Sequence, residues 1–172
     1  MKLSRQLKYY YWRFIRLRGT PQNLALGIAL GVFSGMLPVM PFQTALAVFL
    51  AILFGGSKIT AAVGTWVSNP LNWYFLYYFS YRIGAGILGL SEQSRGFSSV
   101  MGAIERGEEG LVVVGKFLGA GGSIIAAFLL GGLIMGLAAG PISYPIALKA
   151  FQGIARWREA RKTFKALSRK SS

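Results

Sequence analysis

The sequence predicts an all-α integral membrane protein, in which proline-broken re-entrant hairpins and transmembrane helices form one domain over residues 1–172, with an amphipathic interfacial helix at each end. Hydrophobic residues make up 53% of the chain and charged residues 14%, whereas soluble domains carry about 25% charged residues. Three stretches have no charge at all, namely residues 20–57, 59–81 and 117–148. Each reaches the roughly 20 apolar residues that a membrane-spanning helix needs.

The composition excludes several kinds of chemistry. The chain has no Cys, no His and no Asp, so it offers no disulfide, no Cys/His zinc site and no Ser-His-Asp or Cys-His catalytic unit. Glu105, Glu108 and Glu109 have helical spacing, but beside Arg106 a solvated surface is favoured over acid–base catalysis. We therefore expect no enzymatic activity, no cofactor and no metal.

Basic residues concentrate at the two ends of the chain, which has a net charge of +14. Residues 1–19 place apolar side chains at spacings of four and three, from Leu3 to Leu17, which predicts an amphipathic helix. Residues 141–172 have a similar pattern. Both segments are expected to lie on an anionic leaflet, with both termini in the cytoplasm because basic flanks stay there. Bases at the borders of apolar runs argue against a nucleic-acid partner.

Two prolines break the first uncharged run, which covers residues 20–57. Pro38 and Pro41 lie three residues apart, and proline removes a backbone donor and clashes with the preceding helical turn. The arms on either side have about 14 residues, or roughly 20 Å, which is too short to cross a bilayer comfortably. We therefore expect a re-entrant hairpin. The alternative is two short spanning helices in a thinned bilayer.

The remaining segments complete the predicted topology. A membrane segment over residues 58–81 is broken at Asn69 and Pro70, since the residue before a proline avoids the helical region. Whether this segment crosses the membrane or re-enters stays open. A neutral polar segment, residues 82–116, is expected on the far side. A transmembrane helix over residues 117–140 then returns the chain to its basic C-terminal helix.

Six glycines recur at every fourth position of two segments: Gly27, Gly31, Gly35, Gly132, Gly136 and Gly140. Small residues at this spacing let another helix approach closely, and the approaching helix belongs either to the same chain or to a second chain. Each set of three is followed by two prolines. Residues 27–42 and 132–146 are therefore candidates for an inverted repeat, a trait of secondary transporters.

Polar and amphipathic side chains inside the uncharged runs cluster beside the proline breaks. They are Gln43 and Thr44 after Pro41, and Thr65, Trp66, Asn69 and Asn72 around Pro70. Polar groups in hydrocarbon usually face the protein interior or a cavity, so the two breaks predict a substrate-binding site. The alternative is that these side chains cap backbone groups freed by proline. Arg82 is expected either to hold a phosphate head group or to anchor its helix at the interface.

Several of these segments also resemble a known family. The stretch PQNLALGIALGVFSGMLP, the PFQ after it, GTWVSNPL and YRIG look like an uncharacterised bacterial inner-membrane family, which is classed as a domain of unknown function. The most specific motif is T-W-x-x-N-P, formed here by Thr65, Trp66, Asn69 and Pro70.

The resemblance implies a location in the bacterial inner membrane. Some family members occur fused behind glycosyltransferase domains, which implies a glycosyltransferase partner and lipid-linked glycan chemistry by association. This chain departs from the family at Lys58, near which asparagine is common, and at Asn72, where threonine is common.

We expect the protein to handle or translocate an anionic amphiphile, such as a lipid or a lipid-linked intermediate, with the lipids of the anionic cytoplasmic leaflet as its partners. The alternative is a homo-oligomeric membrane scaffold or accessory subunit without transport activity, assembled through its glycine faces. The two expectations differ in the surface that they use, since one needs the polar breaks and the other needs the glycines.

Overall fold

The computed structural model describes residues 19–39, 42–69, 72–90 and 95–170, with side chains described except at 95 and 161–170. In these ranges the chain forms seven α-helices and one 3₁₀ helix and contains no strand, so the prediction of an all-α fold is confirmed there. The helices are α1 Pro21–Met36, α2 Gln43–Leu53, α3 Lys58–Gly64, the 3₁₀ helix Thr65–Val67, α4 Trp73–Leu88, α5 Arg95–Glu105, α6 Gly110–Gly119 and α7 Gly122–Lys170. The predicted amphipathic helix over residues 1–19 lies outside the described residues except for Gly19, and so do Pro41 and Pro70.

Helix α1 begins and ends for local reasons. The Thr20 hydroxyl accepts a hydrogen bond from the Asn23 amide at 3.2 Å, and Pro21 occupies a first-turn position that needs no amide donor. At the other end, Leu37 has an extended backbone before Pro38, as a residue before proline prefers. The first proline of the predicted break therefore follows the end of α1 directly.

Helices α1 and α2 form a hairpin. The Ser57 amide donates to the Asn23 carbonyl at 2.9 Å, so the chain has returned to the first turn of α1 after α2 ends. This end of α1 is termed the base of the hairpin. Residues 37–39, together with Phe42, are termed the tip.

Helix α2 buries only a narrow alanine face. Ala47 and Ala51 are fully buried and pack with Leu30 of α1. Phe49 and Leu53, by contrast, are 61% and 65% exposed. Most of the surface of α2 is therefore apolar and uncovered by the described part of the chain.

Helix α3 and the 3₁₀ helix run alongside α1 from the base to the tip. The contacts follow the first glycine set in order: Gly27 with Ser57 and Thr60, Gly31 with Ala61 and Gly64, and Gly35 with Thr65 and Val67. A side-chain carbon at Gly31 would lie 2.7 Å from the Cα of Gly64. The two backbones are thus in direct contact, which only small residues permit.

Helix α7 packs on the opposite face of α1 and runs in the opposite direction. Its contacts proceed from the tip to the base: Gly132 with Pro38, Gly136 with Phe33, Gly140 with Ala29, and Ala147 and Phe151 with Leu24. Successive residues turn by about 100° around a helix, so Ala29 and Phe33, which contact α7, lie on the side of α1 opposite to Gly27, Gly31 and Gly35. Helix α1 is held between the two.

Helix α4 packs against the first part of α7, which comes before Gly132 in the chain and lies beyond the tip of the hairpin. The Ser80 hydroxyl donates to the Phe128 carbonyl at 2.6 Å, and Gly84 and Gly131 bring the two backbones together. The adjoining aromatic core combines side chains from α4, α5, α6 and α7: Tyr77, Tyr81, Phe97, Phe117 and Phe128. The molecule thus has one packed half around α1 and a second beyond the tip.

The predicted helix boundaries after residue 116 are wrong. The sequence predicts a helix over residues 117–140 and a separate one over 141–172, but α6 ends at Gly119 and a single helix of 49 residues follows from Gly122. Gly121 separates them with a φ of +97°, a conformation that glycine adopts without steric cost. A turn formed by glycine inside an uncharged run does not change the hydropathy profile, which explains why the predicted helix boundary was wrong.

Helix α7 continues through Pro141 and Pro145. The prolines are one turn apart and both exposed, so their rings lie on one outer face of the helix. Ser143 lies between the two prolines, and its hydroxyl donates a hydrogen bond to the Gly140 carbonyl at 2.7 Å.

The predicted inverted repeat is wrong as well. Residues 27–42 contain a helix that ends before Pro38, whereas residues 132–146 are helical throughout. Contacts with α1 at Gly136 and Ala147 hold both sides of the second proline pair in one helix. The same glycine spacing therefore occurs in two segments whose backbone conformations differ.

The prediction of a polar segment over residues 82–116 is only partly right. Helix α4 extends to Leu88 and is closed by Gly89, whose φ is +66°. Helix α6 is apolar, and its side chains Leu111 and Leu118 are 75% and 66% exposed. Four of the eight charged residues in this segment lie at the turn between α5 and α6: Glu105, Arg106, Glu108 and Glu109.

Two ion pairs hold that turn. The Glu108 carboxylate accepts hydrogen bonds from Lys116 Nζ at 2.6 Å and from Arg106 Nε at 2.9 Å. Lys116, and then Arg106, hold the pKa of Glu108 below its usual range. The carboxylate therefore joins the end of α5 electrostatically to the last turn of α6.

We expect this turn to loosen in acid. A carboxylate whose pKa is lowered by folding stabilises the folded state above its ordinary pKa of 4.5, and this contribution is lost as the pH falls through the lower folded-state value. Hydrogen-exchange protection at Val112 and Val113, whose amides bond to the Glu109 carbonyl, should fall in acid. The variant Glu108→Gln should show the reduced protection already at neutral pH. Equal protection of the two proteins at neutral pH would contradict this account.

A second prediction concerns the contact between α1 and α3. Gly31→Ala should lower the free energy of unfolding by about 1–3 kcal/mol, because the added methyl group overpacks a backbone contact. Gly86→Ala in α4 is the matched control, since its Cβ would meet no atom within 4 Å; it should be neutral or raise stability by up to about 1 kcal/mol. Thermal unfolding in detergent measures both, and similar effects of the two variants would disprove the close contact.

Candidate functional site

An open groove of about 410 Å³ lies between α2 and α3. Its lining residues are Thr44, Lys58, Ile59, Ala62, Val63 and Trp66. Lys58 is at the base end of α3, and Trp66 is near the tip. Only the lysine is charged, so the groove offers one cation at one end of a mainly apolar surface.

The start of α3 fixes where Lys58 points. The Ser57 hydroxyl accepts from the Thr60 amide at 3.5 Å, and the Thr60 hydroxyl donates to the Ser57 carbonyl at 3.0 Å. Thr60 is fully buried against Gly27 of α1. Because Thr60 faces inward, Lys58 and Ile59 face outward and are exposed. Within the part of the chain that the structure describes, Lys58 forms no ion pair.

Two threonine hydroxyls join α2 to the 3₁₀ helix near the tip. The Thr65 hydroxyl donates to the Ala62 carbonyl at 2.7 Å, so the Thr44 hydroxyl is the donor in the 3.3 Å contact between Thr44 and Thr65. Thr65 is buried, whereas Trp66 beside it is 77% exposed. The structure thus brings together three predicted site residues from the two separate proline breaks.

Three buried polar atoms lie at the helix ends near the breaks. Ser34 Oγ, Gln43 Oε1 and Trp73 Nε1 have no hydrogen-bond partner among the described residues. Ser34 is in the last turn of α1, Gln43 opens α2 and Trp73 opens α4. Buried polar groups are normally paired, and all three atoms lie within a few residues of the proline breaks. Ser34 and Trp73 were not predicted as site residues.

The second break is capped by Asn72. Its Oδ1 accepts from the Asn69 amide at 2.9 Å, and its Nδ2 donates to the Val67 carbonyl. The Asn69 side chain donates to the Trp66 carbonyl at 3.5 Å, the outer limit for such a bond. At Asn72 the structure therefore favours the capping interpretation, and neither asparagine lines the groove.

Arg82 is separate from the groove. It lies on α4, where its Nη1 donates to the Tyr78 hydroxyl at 3.3 Å, and its guanidinium carbon is 5.9 Å from the centre of the Tyr78 ring. The structure thus does not bring Arg82 to Thr44, Thr65 and Trp66.

The six glycines and Pro38 serve contacts within one chain. All six glycines are buried, the first three against α3 and the 3₁₀ helix and the last three against α1 and the tip. Of the two partners that the spacing allowed, these faces use helices of the same chain. A homo-oligomer would need another surface.

Sequence reasoning missed Lys58 as a site residue. It is the one charged residue between Arg18 and Arg82, and this isolation is the signal that identifies it. Ile59 and Val63 carried no such signal, because nothing in an apolar run shows which side chains border a groove.

Taken together, the fold and the groove define a small, basic, all-α protein. Among the described residues, one helical stretch, Gly122–Ala160, is long and apolar enough to cross a membrane. The chain belongs to DUF2062, a family of uncharacterised proteins conserved in bacteria, which matches residues 4–160. This confirms the resemblance to a bacterial domain of unknown function. No curated protein and no solved structure matches the chain.

The capping role of Asn72 leads to a prediction. Asn72→Ala should lower the free energy of unfolding by about 1–3 kcal/mol, because it leaves the Asn69 amide and the Val67 carbonyl without their partner. Thermal unfolding in detergent measures the change. Asn23→Ala, at an exposed asparagine of α1, is the control and should be close to wild type. A neutral effect at Asn72 would show that the cap is not needed.

Proposed function

We propose that the protein is a polytopic protein of the bacterial inner membrane that binds an anionic amphiphile in the α2–α3 groove, in order to handle or translocate a lipid or a lipid-linked intermediate. The observation that carries the proposal is the single cation, Lys58, at one end of a mainly apolar groove. Enzymatic activity, cofactors and nucleic acid form no part of it.

Insertion into a membrane is supported by the apolar surface of several helices. The stretch Gly122–Ala160 is long enough to cross a bilayer. Phe49 of α2 and Leu111 of α6 are among many large apolar side chains that are more than half exposed. Extended apolar surfaces of this kind are rare on soluble monomers, and lipid would cover them.

The contacts along α1 support a re-entrant hairpin. Residues 24–36 rise about 18 Å, short of a hydrocarbon core of roughly 30 Å, and α2 brings the chain back to the base. Helix α3 starts at the base and α4 continues beyond the tip, so these two form one broken crossing. Helix α7 crosses back in one piece. Both termini are then on the base side.

Charge favours the cytoplasm as the base side. Eight bases lie between Lys149 and Lys170, and all except Lys149 follow Phe151, which contacts the base. Basic flanks stay in the cytoplasm. Lys58 is then at the cytoplasmic interface, where the head groups of anionic lipids lie.

The groove matches one lipid of that leaflet. The Lys58 ammonium has three donors for a phosphate or carboxylate, and Ile59 and Val63 offer apolar contact to a hydrocarbon chain. From Lys58 to Trp66 the groove extends about 12 Å along the helix axis. This is close to the thickness of one leaflet, about half of the roughly 30 Å core.

Two further parts of the proposal rest on the family resemblance. A glycosyltransferase is the proposed protein partner, and a lipid-linked glycan intermediate is the proposed form of the amphiphile. The alternative of a scaffold that assembles through its glycine faces is less favoured, because those glycines are buried within one chain.

The test of this function is a charge-neutral substitution in the groove. Lys58→Gln should weaken the binding of an anionic lipid to protein in nanodiscs about tenfold, since a charge-assisted hydrogen bond is worth at least about 1.5 kcal/mol. Binding of phosphatidylcholine should not change. Lys149→Gln is the matched control, an exposed lysine on the same side of the molecule that does not line the groove.

Equal binding by both variants and the wild type would refute the groove as the head-group site. Reconstituted vesicles with labelled polyprenyl phosphate or ordinary phospholipid then separate binding from translocation. Movement of one lipid class that Lys58→Gln abolishes would establish translocation. Tight binding without movement would leave a lipid-binding protein.

A further inference from the structure

A second apolar space lies behind the hairpin tip. This cavity has a volume of about 280 Å³, and none of its lining residues is charged. Its walls come from the tip and from α4, α6 and α7, and include Pro38, Val39, Phe42, Val114, Phe117 and Leu129. Tyr77 of α4 is the one lining residue with a hydroxyl group.

An apolar cavity of this size has one suitable kind of occupant. Cavities of about 150 Å³ lined by aliphatic and aromatic side chains stay dry and bind apolar molecules. Water would find no set of polar partners here. In the proposed location within a membrane, the apolar group available to fill the cavity is the hydrocarbon chain of a lipid.

The cavity and the groove lie on the two sides of the tip. Thr44 lines the groove and Phe42, two residues earlier, lines the cavity. The cavity residue Leu129 precedes Gly132, the residue of α7 that packs on Pro38. Since α7 runs from the tip towards the base, the cavity lies at or beyond the tip and away from Lys58.

We propose that this cavity receives the distal part of the hydrocarbon chain of the amphiphile whose head group binds at Lys58. A chain that fills the groove ends about 12 Å from the head group, beside Trp66 and the tip. A longer chain has to leave the groove there, and the apolar space behind the tip is next to it. The protein therefore selects long-chain amphiphiles, such as polyisoprenoid phosphates, over short ones. This inference rests on the proposed function.

Two lipids that share a head group test it. Farnesyl phosphate and solanesyl phosphate are both all-trans isoprenoid phosphates that differ only in chain length, and they are titrated into the purified protein by native mass spectrometry. The longer lipid should bind roughly fivefold more tightly, a modest factor because the gain comes from dispersion contacts and not from leaving water. Val114→Phe, which fills the cavity, should abolish this preference and leave farnesyl phosphate binding unchanged.

Val112→Phe is the matched control, because residue 112 is on the same helix, is exposed and does not line the cavity. It should keep the preference for the longer lipid. Equal affinity of the wild type for both lipids would overturn the inference while leaving the groove intact. So would an unchanged preference in Val114→Phe. Failure of both lipids to bind the wild type, or binding that is unchanged in Lys58→Gln, would instead refute the proposed function.

A second measurement needs no variant. Undecaprenyl phosphate with a photoreactive group at the end of its chain should cross-link to Phe42, Phe117 or Leu118, all of which line the cavity. Cross-links confined to Ile59 or Trp66 would place the whole chain in the groove and overturn the inference.

Discussion

The architecture depends on how closely α1 approaches its two neighbours. Glycines on one side of α1 let the backbone of α3 come into contact, and glycines of α7 do the same on the other side. A helix held in this way has little freedom to shift, because dense packing offers only discrete arrangements. The groove, the tip and the cavity are all positioned by this stack of three helices.

The stack also explains how a broken chain is tolerated. Two of the helices around the site are short, and the backbone at their ends has lost its regular partners. Asn72 forms hydrogen bonds with two backbone groups at the second break, the Asn69 amide and the Val67 carbonyl. The Thr44–Thr65 contact joins the two breaks to each other. The polar side chains near proline thus have two tasks, since some repair the backbone and others join one broken element to the next.

Much of this arrangement could be predicted from the sequence, because it is local. Pro38 and the extended Leu37 before it predict the end of α1, and the spacing of Gly27, Gly31 and Gly35 predicts a close helix contact. What the sequence could not give was the partner of each glycine set, since spacing is the same for contacts within and between chains. The continuity of α7 through Pro141 depends on contacts with α1 on both sides of it. The break at Gly121 was hidden within a uniformly apolar run.

The two prolines of α7 lie between the places where that helix contacts α1. On one side are Gly132, Gly136 and Gly140, and on the other are Ala147 and Phe151. Each proline removes one hydrogen bond of the helical ladder, while Tyr144 between them packs against the cluster at the base of the hairpin. At this point the helix that closes the fold is therefore kept straight by side-chain packing on α1 where its own backbone ladder is incomplete.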